Sequence, residues 1–241
     1  MLHTQSTLKL IHKLPCTLHI KRLQAITYIN GVFYGKDKNN TVYKISKKIE
    51  ELIVNIGGNH QGLGQFFNTN MFTYPIKDTI YVLDNKGKVY KELKYRYGSG
   101  NTTISVSKDK KEIVYEYYND LKEQIIEIRN KKEIVLSTSI YRLNSDMYPI
   151  QGITNDNDYV YILYGYGDKN KPKFILQLDR ITRKIIKRID LIFPFSVFDR
   201  GAEPESLNFI NGELCVLFSV KKYPFIISNY IYKVKEYWKP T

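Results

Sequence analysis

Two carboxylates flanking a proline, Glu203-Pro204-Glu205, stand just after Asp199 and Arg200, and together they form the most concentrated mixed-charge group in the sequence. A glycosidase needs two carboxyl groups held across the bond it breaks. Alternate residues of a strand share a face, which would bring Glu203 and Glu205 together, but Pro204 weakens the regularity of that strand. Arg200 carries the planar fork that suits a phosphate oxygen, or it pairs with Asp199 or Glu203. No Gly-x-Ser-x-Gly elbow is present, no histidine is spaced to share a metal with another, and Asn155-Asp156-Asn157-Asp158 lacks the later ligands of a calcium loop. The residue pattern points to binding rather than catalysis, with no cofactor and no metal expected.

Glu205 also belongs to a repeated phrase: a Gln or Glu, a small residue, then an aliphatic one. It reads Gln24-Ala25-Ile26, Gln61-Gly62-Leu63, Gln151-Gly152-Ile153 and Glu205-Ser206-Leu207, with a degraded copy at Thr102-Thr103-Ile104. The first residues lie 37, 41, 49 and 54 positions apart by subtraction, the spacing of one supersecondary unit repeated with loops of varying length. Six residues after the marker come Asn30-Gly31, Asn157-Asp158 and Asn211-Gly212 in three of the five copies. Asn-Gly supplies the positive φ angles of a type I′ turn, so each copy predicts a strand, a tight turn and a returning strand. The returning strands are read as Gly31–Tyr34, Thr79–Leu83, Ile113–Tyr115, Tyr159–Leu163 and Leu214–Leu217, all rich in β-branched and aromatic residues.

Five units of four antiparallel strands describe an all-β fold, a five-bladed β-propeller in which radial repetition leaves only short sheet edges. The extended segment Ser6–Ile20 precedes the first marker and is expected to close the ring against the last unit. The whole chain, 1–241, reads as a single domain, with no linker or low-complexity block. In such a ring the marker residues converge at one mouth of the central channel. Gln24, Gln61 and Gln151 then have two readings: buried amides that satisfy neighbouring backbone groups, or a sugar site formed with His60, Tyr148, Tyr164 and Tyr166. Amide groups suit hydroxyls, and aromatic faces suit the apolar side of a ring.

The formal charge is +13, which speeds association with any polyanion. Its lysines, among them Lys36, Lys38, Lys108 to Lys111 and Lys169 to Lys173, lie in or beside predicted turns and read as solvated hairpins, so nucleic acid is not an expected partner. Arg180 to Arg188 is the only dense basic stretch, and it too fits a turn between strands. No apolar run approaches the roughly 20 residues of a membrane helix, and Met1–Lys13 lacks the apolar segment and cleavage site of a secretory signal. Cys16 and Cys215, the only cysteines, sit in apolar alternating runs and read as small core residues; whether they pair is left open.

The segment Gln151-Gly152-Ile153, the run Asp158–Leu163, the strand pair Phe174–Leu178 and Lys184–Ile189 joined by Asp179-Arg180-Ile181-Thr182-Arg183, and then Glu203-Pro204-Glu205 together resemble one known propeller family. It is the family shared by receptor-binding proteins of staphylococcal phages, teichoic acid biosynthesis protein C-like proteins and helveticin J-like bacteriocins. His60-Gln61-Gly62 resembles the family's earlier repeat, and the match is best over His60–Leu217. Where family members read Glu-Pro-Glu-Gly, this chain has Ser206. The resemblance implies a non-enzymatic propeller that binds an anionic bacterial surface glycopolymer, particularly teichoic acid, in a virion or at a cell surface, with other virion proteins as further partners. The candidate ligand residues, read from their place at the channel rim, are Gln24, His60, Gln61, Tyr148, Gln151, Tyr166, Asp199, Arg200, Glu203 and Glu205. A scaffold for other proteins is the alternative, and a glycopolymer-degrading enzyme using Glu203 and Glu205 a further one.

Overall fold

The computed structural model describes residues 1–14, 22–45, 50–55, 62–76, 79–94, 103–119, 121, 123–132, 135–141, 149–224 and 226–236. Within them the chain is strand and turn. After the N-terminal strand β1 (Leu2–Leu14), the first unit holds β2 (Leu23–Ile29), β3 (Val32–Asp37), β4 (Thr41–Ile45) and β5 (Glu50–Asn55). The second holds β6 (Gly64–Gln65), β7 (Phe72–Ile76), β8 (Thr79–Leu83) and β9 (Val89–Lys94), and the third β10 (Thr103–Val106), β11 (Glu112–Tyr118), β12 (Gln124–Asn130) and β13 (Val135–Tyr141). A fourth comprises β14 (Ile150–Asn155), β15 (Tyr159–Gly165), β16 (Lys173–Asp179) and β17 (Ile185–Ile192). The last contributes β18 (Asp199–Ile210), β19 (Glu213–Lys222) and β20 (Ile226–Glu236).

Within each unit successive strands pair antiparallel. The N-terminal strand completes the last unit, pairing antiparallel with β20 from Ser6↔Glu236 to Leu14↔Asn229. It begins at Leu2, four residues before the predicted start, and those extra residues reach further. Leu2 to Thr7 pair in parallel with Lys187 to Ile192 of β17. The five separate sheets expected from sequence are therefore three four-stranded sheets and one of eight strands, because β1 is long enough to bridge the outer edges of two units.

Packing explains why the strands read as continuous apolar runs. Each sheet has a neighbour on both faces, so alternate side chains enter different cores. In β15, Val160, Ile162 and Tyr164 pack with Val114, Ile126 and Ile128 of the third unit. Tyr161 and Leu163 point the other way, to Leu207, Val216 and Phe218 of the fifth. Similar cores lie between the first and second units, the second and third, and the fifth and first. The first strands follow one another in the same order: β2 touches β6, β6 touches β10, β10 touches β14, β14 touches β18, and β18 returns to β2.

Buried polar groups fill the space these first strands enclose. Ser105 Oγ donates to Asn208 Oδ1 at 2.9 Å, Thr154 Oγ1 to the Val106 carbonyl at 3.1 Å, and Asn208 Nδ2 to the Ile26 carbonyl at 2.9 Å. Ser206 joins them by accepting from Asn208 Nδ2 at 2.8 Å. Of these bonds, Ser105–Asn208 links β10 to β18, first strands that are not neighbours in the ring, and the others join neighbouring first strands or lie within β18.

The second unit departs from the predicted strand order. Thr79–Leu83, read as a returning strand, is the third strand of its unit; the second is β7, which carries Pro75. A proline lacks the N–H of a ladder, and here β6 is so short that it pairs only with Thr73 and Phe72, leaving Pro75 to pair on the β8 side with Ile80.

One buried acid in the third unit gives a pH dependence. Glu116 accepts a hydrogen bond from Gln124 Nε2 at 3.1 Å, and burial pushes its carboxyl up to about 8 from the ordinary 4.5. The folded protein holds this proton where the unfolded chain has lost it. The stability it confers is therefore full below 4.5 and is lost as pH rises toward about 8. Glu116→Gln is expected to flatten part of that decline in melting temperature; an unchanged slope would contradict the assignment.

Candidate functional site

The repeated marker turns out to be a repeated β-bulge. The register between β2 and β3 shifts between Leu23 and Ala25, that between β14 and β15 shifts between Ile150 and Gly152, and that between β18 and β19 shifts between Pro204 and Ser206. The extra residues are Gln24, Gln151 and Glu205. A bulge re-aims a side chain out of the alternation of its strand, and here it aims all three into one charged cluster. The backbone freed at the first bulge is taken by the fifth unit: Asn229 Oδ1 accepts from Leu23 N at 3.2 Å, and Ser219 Oγ donates to the Leu23 carbonyl at 3.0 Å.

Arg22 lies at the centre of that cluster. Its Nε is 2.6 Å from Glu205 Oε1 and its second guanidinium nitrogen, Nη2, is 2.7 Å from Glu203 Oε2. On one side Lys36 donates to Gln24 Oε1 at 3.1 Å. On the other, Gln151 Nε2 donates to the Gly165 carbonyl at 3.0 Å and to Glu203 Oε1 at 3.4 Å. Lys173 closes the group, donating to the Asp168 carbonyl at 2.7 Å and feeling the Glu203 charge. Three cations thus surround two carboxylates.

Burial dominates the electrostatics. It pushes the Glu205 carboxyl up to about 8 against the pull of Arg22, and it lowers Lys36 to about 8 against the pull of Asp37 and Glu205. Burial also opposes the charge on Arg22, yet Glu205 and Glu203 together hold its pKa above the ordinary value. Lys173 is lowered by burial, with Asp168 and Glu203 partly compensating. Two acceptor atoms in the cluster, Gln151 Oε1 and Glu205 Oε2, are buried without a hydrogen-bond partner among the described residues.

The geometry sorts the predicted residues. Gln24, Gln151, Glu203 and Glu205 come together. Lys36, read as a solvated turn lysine, is fully buried in β3. Arg22, Lys36 and Lys173 were not among the predicted site residues. Arg22 stands two positions before its marker, as Glu203 does before Glu205, and that shared offset is the signal that could have found it. Asp199 is held elsewhere, accepting the Ser196 N–H at 2.7 Å and lying 3.9 Å from Lys222 Nζ. Arg200 is exposed, its guanidinium 4.9 Å from the centre of the Tyr223 ring. Tyr166 is 41% exposed and borders the same place, since Asp168 bridges to Gly201 and a Cβ on Gly201 would fall 2.2 Å from the Gly167 carbonyl. His60, Gln61 and Tyr148 lie outside the described residues, as does Cys16. Cys215 is a buried thiol whose Sγ donates to the Glu213 carbonyl at 3.3 Å.

Glycosidic chemistry finds no support in this geometry. Both carboxylates are engaged by one guanidinium, at 2.7 and 2.6 Å, so neither is left free to act across a bond. Arg200 and Tyr223 are exposed at the start of β18 and just past the end of β19, and Tyr166 is exposed two residues before Asp168, which bridges to Gly201.

No family model matches the chain, and no curated protein matches its sequence. Solved structures do. The chain superposes on a tail fiber of Staphylococcus aureus phage P68 with a TM-score of 0.64 at 13% identity, covering 94% of this chain and 52% of that one. On the WD40 domain of Toxoplasma gondii coronin the TM-score is 0.53 at 11% identity, over 94% and 59% of the two chains. On regucalcin of Agrobacterium tumefaciens, described as a calcium-binding protein, it is 0.53 at 8% identity, over 100% and 98%. The chain thus spans about half the length of the tail fiber and about three fifths of the coronin structure. Identities this low speak to fold alone, and the fold they support for this chain is the β-propeller.

Proposed function

We propose that this chain is a five-bladed, non-enzymatic binding propeller that recognises an anionic cell-wall glycopolymer of the teichoic acid type, within a phage or phage-related receptor-binding protein in a virion or at a cell surface. The observation that carries the reading is the marker mouth itself: Arg200 on the face of Tyr223, with Tyr166 alongside, exposed above a rigid floor of ion pairs. A guanidinium suits a phosphodiester and the rings suit a sugar. The buried markers Gln24, Gln151 and Glu205 set the floor, which keeps the exposed groups in place. Likeness to a phage tail fiber supports the setting, and the +13 charge supports an anionic partner.

The test is the double variant Arg200→Ala with Tyr166→Ala, both surface changes. Affinity for purified Gram-positive cell walls is expected to fall at least about tenfold, worth ~1.4 kcal/mol, with an unchanged melting temperature. Full retention of wall binding by the variant would remove the site from this mouth. A second reading, a scaffold for a protein partner, is favoured by the exposed Val197, Phe198, Tyr223 and Ile226 at the end of the long β18–β19 hairpin. Protein capture that survives the double variant and fails with Phe198→Ser would favour it.

A further inference from the structure

The opposite mouth, where the first strands of the units turn back, holds an open cleft of about 280 Å³ that neither the markers nor the rim explains. We infer that this cleft is a second binding site, for a sugar carrying a phosphate group. It is assembled from three units: Tyr28 and the Asn30-Gly31 turn of the first, Lys108 and Lys110 of the third, and Phe209 with the Asn211-Gly212 turn of the fifth.

Its cations are fixed and available. The turn that carries them is locked, with the Lys108 N–H donating to the Asn155 carbonyl at 2.8 Å and the Lys110 N–H to the Ser107 carbonyl at 2.9 Å. Lys110 is held at φ 61, in the left-handed region. The acid between them is used internally: Asp109 Oδ1 accepts from Ser107 Oγ at 2.8 Å and from Lys111 N at 3.1 Å, and Oδ2 lies 3.3 Å from Lys111 Nζ. Asp156, on the adjoining turn of the fourth unit, is held by the Tyr161 hydroxyl at 2.9 Å. Lys108 and Lys110 make no ion pair among the described residues, and no carboxylate lines the cleft. Lys108 instead lies 5.5 Å from the centre of the Phe209 ring, which places a cation and an apolar face side by side.

The remaining walls suit a polyhydroxyl ring. Asn30 and Asn211, at φ 48 and 51, are exposed on tight turns, and Asn30 Nδ2 donates to Asn70 Oδ1 at 2.5 Å. A Cβ on Gly31 or Gly212 would meet nothing within 4 Å, so the turn backbone there is open to a ligand. Two ammonium groups call for an anion, the aromatic faces of Tyr28 and Phe209 for a ring, and the amides for hydroxyls. A volume just below the ~300–1,000 Å³ of pockets for drug-sized ligands suits one sugar and its phosphate.

Titration of the full chain while following backbone amide chemical shifts provides the test, with glucose phosphate, glucose and inorganic phosphate as separate probes. Glucose phosphate is expected to move the amides of Gly31, Lys110 and Gly212, and to bind at least about tenfold more tightly than either fragment. Lys108→Ala with Lys110→Ala should abolish those shifts, while Arg200→Ala with Tyr166→Ala should leave them intact. That separates this site from the rim, whichever way the rim test falls. Movement of the same amides by a glycerol-phosphate polymer would assign the ligand to a polymer repeat, and movement by glucose phosphate alone to a free metabolite. Unmoved amides, equal binding of inorganic phosphate, or unchanged binding by the lysine double variant would each overturn the inference.

Discussion

Arg22→Ala is expected to cost about 3–5 kcal/mol of folding stability, the range seen when one partner of a buried ion pair is removed and the other is left uncompensated. Arg22 holds Glu203 at 2.7 Å and Glu205 at 2.6 Å, and the Glu205 side chain is 0% exposed, so the loss leaves a buried carboxylate without the guanidinium that pairs with it, and with Lys36 as a nearby cation. The deficit should depend on pH in a defined direction. Burial already raises the Glu205 carboxyl to about 8, and removing the guanidinium raises it further. The variant can therefore shed the penalty by protonation, so its deficit should be small while the carboxyl is protonated, below about 8, and should approach the full cost only as pH rises past about 8. Adding Glu203→Gln and Glu205→Gln to Arg22→Met should recover most of the loss, because it removes the guanidinium and both carboxylates it pairs with at once. Denaturant unfolding at several pH values reads all three expectations. A pH-independent deficit, or one below ~1 kcal/mol, would show that the cluster is solvated and does not pin the first unit to the fifth.

Gly152→Val ranks second. A Cβ on Gly152 would lie 2.5 Å from the Leu207 backbone nitrogen and 2.9 Å from Leu207 Cβ, so two first strands, β14 and β18, meet there with no room for a side chain. The equivalent position in other copies carries Ala25, Thr103 and Ser206, so the repeat as such does not require glycine. The requirement holds where first strands approach closely, here and at Gly62, whose Cβ would fall 2.9 Å from the Ile104 backbone nitrogen. A valine must push two backbones apart, which places the cost at or above the ~3 kcal/mol upper end of ordinary overpacking. Gly31→Ala is the control: it strains a turn at φ 84 but meets open space, and should cost only about 1–2 kcal/mol. Thermal melts with limited proteolysis compare them. A valine variant as stable as the protein itself would mean that β14 and β18 are not in backbone contact.

Much of this architecture could be read from local pattern. The marker phrase recurs because it encodes a bulge, and a bulge is a local event that leaves a local trace: Gln24, Gln151 and Glu205 are each the residue the ladder skips. The Asn-Gly turns did the same for Asn30 and Asn211, both of which adopt positive φ. What could not be read depends on partners distant in sequence. Lys36 looks like a turn lysine until Gln24 and a carboxylate of the last unit are placed beside it. The parallel pairing of Leu2 to Thr7 with β17 joins residues about 185 positions apart, and no periodicity announces it. Pro75 hid β7, because its tolerance there depends on how short β6 is. The cleft at the turn mouth is built from three units, and its lysines look like any other solvated pair until Asp109 is seen to face its own turn.

The chemistry of the rim is where fold and proposed function meet. In the proposed function, an ion-paired floor that ties the first unit to the fifth limits the backbone ordering needed to present Arg200, Tyr166 and Tyr223. Electrostatic attraction from the +13 chain would bring the protein to any polyanionic surface, so charge alone is the competing explanation for wall association.

A pull-down of the purified protein on Gram-positive cell walls, before and after chemical removal of teichoic acid and at low and high salt, addresses the proposed function most directly. Binding that persists in high salt and vanishes when the teichoic acid is stripped is the predicted result. Binding that ignores stripping, or that disappears with salt alone, would contradict a specific glycopolymer site.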